Sequence, residues 1–278
     1  MIEMPTKPVP GLFFTGTDTG VGKTYVAGLV ARALRAAGQR VGVYKPAASG
    51  CRREGGELVS DDALVLWEAA GQPGTLECVC PQRFAAPLAP HLAARAEGRQ
   101  LDPDLLRRGL DYWQAASDVI LVEGAGGLLS PLGDDQYVAD LAHDFGFPLV
   151  IVSRNALGTI NHTLQTLCAA AFYVPAEGRQ ACRVGRSPTE SALPAPDYRE
   201  GGAAPCGLDP PYGRTPPYGL PVAGIVLNNV SPPSDDPSIA TNRRELEARC
   251  RVPTLAEVAF QADRFDAEVD WLGLAGRR

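Results

Sequence analysis

Short apolar runs alternate along the chain with longer stretches in which apolar residues return every third or fourth position. The runs at Leu12 to Thr15, Val41 to Lys45, Val119 to Glu123, Leu149 to Ser153 and Val222 to Leu227 are of strand length. Between the first two, Val26, Leu29, Val30, Ala33, Leu34 and Ala37 keep helical spacing from Lys23-Thr24 onward, and Gly38 supplies a stop. Asp102 followed by Pro103 predicts the cap and first turn of a helix running through LLRRGLDYWQAA. Helical patterns also cover residues 61–70, 136–145, 158–173 and 238–250. Strands that alternate with helices predict βαβ units, and so an α/β fold with a mostly parallel sheet flanked by helices.

One segment breaks the alternation. Residues 175–221 hold ten of the 25 prolines and seven of the 30 glycines, with no sustained apolar period. So little apolar surface cannot offset the entropy of ordering, so the expectation is a long, mostly disordered insertion between a helix and the strand at Val222. The rest is ordinary for a folded domain: 278 residues, 45% hydrophobic and 21% charged, long enough for an ample core. The net charge of −6 and the absence of basic runs longer than a pair exclude the footprint of a nucleic-acid binder. No stretch has the length of a signal peptide or a membrane span, so a cytoplasmic protein acting on small molecules is expected, with no membrane partner. The seven cysteines include one close pair, Cys78 and Cys80, with no second pair or nearby histidine to complete a zinc site. All seven read as reduced structural thiols.

The candidate chemistry starts at GTDTGVGKT, residues 16–24, between the first strand and the first helix. Glycines let backbone N–H groups turn inward and the helix N-terminus favours anions. Lys23 would reach the β- and γ-phosphates of a triphosphate, and the Thr24 hydroxyl would ligate Mg²⁺. Five residues, one more than usual, separate Gly16 from Gly22, so Thr17 stands in the customary first-glycine position. In DVILVEGAGG, residues 118–127, an apolar strand delivers Glu123 to its carboxyl end beside glycines, where a second Mg²⁺ contact belongs. In VYKPAASG, residues 43–50, Lys45 ends a strand ahead of a small-residue loop containing Ser49, which offers a second cation near the phosphates. Ser60-Asp61-Asp62 opens a helix; Ser60 reads as its cap, with Asp62 either favouring the helix dipole or serving as a metal ligand.

Taken in order, GTDTGVGKT, YKPAASG, SDDAL, VEGAGG, LGTINHT and LNNVSPP closely resemble the dethiobiotin synthetase family, over about residues 11–174 and 222–260. The resemblance implies a homodimeric P-loop fold in one domain, residues 11–260, interrupted by the insertion at 175–221 and flanked by an extension at 1–10 and a segment at 261–278. It implies ATP-dependent ring closure of 7,8-diaminopelargonic acid with CO₂ to dethiobiotin, ADP and phosphate, with Mg²⁺. By the same resemblance Lys45 is the catalytic lysine, joined by Lys23. Thr19, Gly20, Val21, Gly22, Lys23 and Thr24 hold the ATP phosphates, and Asn228 reads adenine. Thr24, Asp62 and Glu123 are the metal residues. Ser49 and Gly126 face the diamine, and Asn161 reaches the substrate carboxylate of the neighbouring subunit. The chain departs from the family pattern at Ala240, where a substrate-facing tyrosine is common, and at Ala259-Phe260, where a proline lies near adenine.

Three rival readings stay in view. A partitioning-type switch ATPase would carry a lysine early in the loop, where this chain has Asp18. A cobyrinate-type amide synthase would need a glutamine-hydrolysing domain with a nucleophilic cysteine. A non-catalytic nucleotide-binding module leaves Lys45, Asp62 and Glu123 without a role.

Overall fold

Every residue of GLFFTG is buried, so the strand it forms, β1 (Gly11–Gly16), must be covered on both faces. The computed structural model describes residues 8–175, 219–233 and 235–277. After β1 the strands are β2 (Val41–Tyr44), β3 (Ala47–Ala48), β4 (Arg52–Glu54), β5 (Glu57–Val59), β6 (Gln82–Arg83), β7 (Val119–Gly127), β8 (Leu149–Arg154), β9 (Val222–Asn228) and β10 (Thr254–Val258). Six of them make one sheet in the order β10-β9-β8-β1-β7-β2, with every pairing parallel. The helices are α1 (Lys23–Ala36), α2 (Asp61–Ala69), α3 (Leu76–Val79), α4 (Pro90–Ala96), α5 (Pro103–Ala116), α6 (Val138–Phe145), α7 (Thr159–Ala171), α8 (Ile239–Arg249) and α9 (Trp271–Ala275).

The order places β1 between β7 and β8. The chain leaves β1 toward the β2 edge and later returns past it to β8, so a crevice opens at the carboxyl ends of the strands where the winding reverses. Gly16, Gly127, Arg154 and Asn228 end their strands at that rim, and Glu123 lies just past the last β2 pairing, that of Tyr44 with Val122. Phe13, Phe14, Ile120, Leu121, Val150 and Ile151 fill the sheet's two faces at no more than 1% exposure, which ties the rim positions to a rigid base.

The expected elements form, with ends shifted for identifiable reasons. Gly38 closes α1 as foreseen, its N–H bonding Arg35 O and that of Gln39 bonding Leu34 O. The Asp102 carboxylate caps α5 by accepting from Asp104 N and Leu105 N, and Ser60 caps α2 by accepting from Ala63 N. β2 ends at Tyr44, one residue short of Lys45, because the Lys45 N–H turns away to Val79 O at 2.8 Å. β7 runs four residues past Glu123, its glycines kept in the ladder by the pairing of Gly127 with Gly16. α6 starts at Val138 rather than 136, where the Asp140 carboxylate accepts from Tyr137 N. In the arm from β3 to α4 the helix expected at 61–70 forms as α2, whereas the short strands β3 to β6 and the helices α3 and α4, like β10 and α9, have no counterpart among the expected elements. Most of the insertion expected at 175–221 lies outside the described residues; at its far end Leu220 donates to Ala170 O and is buried against α7.

Polar anchors tie α5 to the sheet and the arm to α5. Tyr44 OH at the end of β2 shares its proton between Leu105 O and Leu106 O at 3.1 and 3.0 Å, and Trp113 Nε1 on α5 donates to Cys78 O on α3 at 3.1 Å. Trp113 is fully buried against Gly42, whose missing Cβ would lie 2.9 Å from the indole. We expect Trp113→Ala to destabilise the fold by about 3–5 kcal/mol through cavity formation and the stranded Cys78 carbonyl. Leu157→Ala, at a site 85% exposed, should change stability by less than about 0.5 kcal/mol. Urea unfolding of the two variants checks both figures.

Candidate active site

The turn after β1 is built for an anion. Gly22 is the N-cap of α1 with φ +86° and no side-chain cap, so the first-turn N–H groups are left for a ligand. A Cβ at Gly22 would lie 2.1 Å from Asn228 Nδ2, so glycine is required by both backbone conformation and contact. Asn228 braces the turn from the end of β9, its Nδ2 donating to Val21 O at 2.9 Å. Lys23 reaches back to Asp18 O at 3.4 Å. Burial pulls the Lys23 ammonium below the ordinary lysine range against the opposing field of Glu123, and the nearby Lys45 adds to that lowering.

Beside the turn lies a buried ionic cluster. Lys45 Nζ stands 2.6 Å from Glu123 Oε1 and 2.6 Å from Asp62 Oδ2. Thr24 Oγ1 donates to the same Glu123 Oε1 at 2.9 Å. Lys45 is 4% exposed and Glu123 2%, whereas the Asp62 side chain is half exposed. Burial opposes the charge on Lys45, but Glu123 and Asp62 outweigh it and hold the ammonium above its usual range. Burial likewise works against the Asp62 carboxylate, and Lys45 more than reverses it, so Asp62 stays ionised below the usual carboxylate range. Glu123 Oε2 is buried with no hydrogen-bond partner. An orphaned carboxylate oxygen next to a threonine hydroxyl and a second carboxylate is a hard-oxygen donor set that fits Mg²⁺, which binds through one or two carboxylates and completes its shell with phosphate and water. Among the described residues no group of three or more histidine, cysteine or acidic side chains could hold a metal alone.

The turn and the cluster open into one cavity of about 960 Å³. It brings together Thr19, Gly20, Gly22, Lys23, Thr24, Lys45, Ser49, Asp62, Glu123 and Gly126, most of the residues expected from sequence. Gly126 has φ +69°, and a Cβ there would meet Ser130 Oγ at 2.3 Å, so the glycine keeps the wall open across from Thr19. Three expected residues do not line this cavity. Val21 is buried behind the loop, Asn228 is buried beneath it, and Asn161 is exposed on α7. The cavity also has walls that sequence reasoning passed over: the Pro87–Pro90 turn, Tyr25, and Ser130-Pro131. Proline and alanine carry no periodic signal, and Ser130 is recognisable only from the turn it closes by accepting from Gly127 N at 2.8 Å.

A glycine turn between a buried strand and a helix, with Lys-Thr at the helix start and a carboxylate from the adjacent strand, defines a P-loop nucleotide-binding protein. The family model described as an AAA domain matches residues 10–172. The ATP-dependent dethiobiotin synthetase of Rhodopirellula baltica is 37% identical over 88% of this chain and 82% of its own length. That of Anaeromyxobacter dehalogenans strain 2CP-C is 40% identical over 91% of each chain, and that of Anoxybacillus flavithermus 30% identical over 94% and 96%. Among solved structures, the signal recognition particle receptor FtsY of Elizabethkingia anophelis is similar at TM-score 0.46 and 15% identity, over 98% of this chain and 67% of that one. The chain belongs to the ATP-dependent dethiobiotin synthetase family.

The ion pairing at Asp62 has a pH signature. A carboxylate whose pKa is depressed by folding stabilises fully above its unfolded value, near ~3.9, and loses that contribution as the pH falls through the folded value. The stability advantage of the wild type over Asp62→Asn should therefore be present at neutral pH and shrink as the pH drops below about 4. Unfolding curves at neutral and acid pH measure it, and an advantage that is unchanged in acid contradicts the assignment.

Proposed function

We propose that the chain catalyses the ATP-dependent closure of 7,8-diaminopelargonic acid and CO₂ to dethiobiotin, releasing ADP and phosphate, as a cytoplasmic homodimer in biotin biosynthesis. The observation that carries this reading is the Lys45–Glu123–Asp62 cluster, with Thr24 on Glu123, on the floor of the cavity that the P-loop also lines. A volume of about 960 Å³ has room for a triphosphate tail and a short diamine together.

One amine of the substrate adds to CO₂ and loses a proton, giving a carbamate. A carbamate oxygen attacks the γ-phosphorus and ADP leaves, forming a carbamic-phosphoric anhydride. The second amine then attacks the activated carbonyl carbon, phosphate departs, and the cyclic urea closes. Phosphoryl transfer spreads negative charge over the γ-oxygens, so fixed cations and inward N–H groups supply most of the stabilisation. Lys23 and the N–H groups of Gly20 to Thr24 hold the phosphates, and Lys45 holds the carbamate against them. Thr24, Asp62 and Glu123 would hold Mg²⁺, which when bound supplies further positive charge to the phosphate oxygens.

Ser49 and Gly126 border the diamine, with Thr19 between it and the phosphates. Asn228 lies on the far side of Gly22 and serves the adenine end. Asn161 is exposed and away from its own cavity, which suits a contact with the substrate carboxylate in a partner subunit. Among the described residues no helix is long and apolar enough to cross a membrane.

Incubation with MgATP, bicarbonate and the diamine should yield dethiobiotin, with phosphate release that depends on the diamine. Hydrolysis indifferent to the diamine would favour a switch ATPase. In Lys45→Ala we expect turnover to fall by about 10²–10³, the usual effect of losing one preorganised charge-stabilising group. An unchanged rate would refute its role.

A further inference from the structure

The charged side chains lining the cavity, among the described residues, are Lys23, Lys45, Asp61, Asp62 and Glu123. Asp61 is taken by Arg52 at 2.8 Å. That leaves two ammonium groups facing two carboxylates, with no net charge on the cavity floor. The Lys45 ammonium lies between the carboxylates, 2.6 Å from each. Both of Lys45's short contacts are therefore to the residues read above as metal ligands. Glu123 Oε1 already accepts from Thr24 and from Lys45, while Glu123 Oε2 is buried and without a partner.

A bare divalent cation entering this floor would face the Lys45 ammonium at close range and leave two uncompensated positive charges in a buried site. A triphosphate arriving with the cation removes that excess and gives the ammonium a new anionic partner. We propose that Lys45 is the resident counter-ion of the metal site: it holds Asp62 and Glu123 together in the nucleotide-free protein, and exchanges places with a divalent cation only when phosphates arrive. Metal binding thereby becomes conditional on nucleotide, and Lys45 is delivered to the phosphate and carbamate side at the step that needs it. This rests on reading Thr24, Asp62 and Glu123 as the metal residues, and adds that a lysine of the same site competes for them.

The test uses Mn²⁺ as the probe, with free ion counted by electron paramagnetic resonance, on the full chain without nucleotide. The wild type should bind Mn²⁺ weakly, and Lys45→Met should bind it roughly tenfold tighter or more, because the competing charge is gone while the stem's packing is kept. Adding Glu123→Gln to Lys45→Met should abolish the gain. Mn²⁺ should raise the melting temperature of Lys45→Met and leave that of the wild type nearly unchanged. If Lys45→Met fails to fold in chelator, recovery of its melting transition on adding Mn²⁺ supports the exchange, and failure to fold at any Mn²⁺ concentration overturns it. Equal Mn²⁺ affinity in wild type and Lys45→Met also overturns it, leaving the metal-site reading intact. Absence of Mn²⁺ binding in both proteins, even with a non-hydrolysable ATP analogue present, overturns that reading as well.

Discussion

A lysine at 4% exposure keeps its charge only if carboxylates are brought in with it, and Lys45 has two at 2.6 Å. They come from different parts of the fold: Glu123 from the middle of β7, Asp62 from the first turn of α2. Their meeting fixes the distance between the β2 end, the midpoint of β7 and the arm that carries α2. Thr24 joins the same oxygen of Glu123 from the start of α1, so the phosphate turn is registered against the cluster by a hydrogen bond of 2.9 Å. Removing Lys45 would leave Glu123 a buried charge without its counter-ion, and removing Glu123 would leave the buried Lys45 with only the half-exposed Asp62, which is why the pair is expected to behave as a unit.

The parallel sheet makes this meeting possible. Because β1 lies between β7 and β8, the loop after β1 and the carboxylate on β7 emerge side by side at one rim. Apolar packing on both faces holds the strands while the polar work is confined to their carboxyl ends. Asn228 applies the same economy from the other side, using an amide at the end of β9 to brace Val21. The arm from β3 to α4 then closes the cavity with the Pro87–Pro90 turn.

Much of this was legible from residue order, and the exceptions have physical reasons. The helices carried amphipathic stripes and real caps at Ser60 and Asp102, and both caps form their expected bonds. β10 carries no readable sequence signal because TLAEV alternates between buried and half-buried over only five residues, too short a period to separate from a loop. β7 outran its apolar run because glycines keep ladder bonds without apolar side chains. Lys45, Asp62 and Glu123 each stand out in the sequence as candidates, but the ammonium's place between the two carboxylates depends on tertiary register that no local pattern encodes. The same holds for Asn228, which sits under the phosphate turn rather than in the cavity, and for Ser130, whose role arises from the fold-back of its own turn.

The central claim is that Lys45 and Glu123 act as one buried, mutually dependent pair. A double-mutant cycle of Lys45→Met and Glu123→Gln, read by urea unfolding of the nucleotide-free protein, tests it most directly. The account expects the double variant to be more stable than the sum of the single losses implies, with a coupling of about 1.5–3 kcal/mol. Losses that add to within about 0.5 kcal/mol would contradict it.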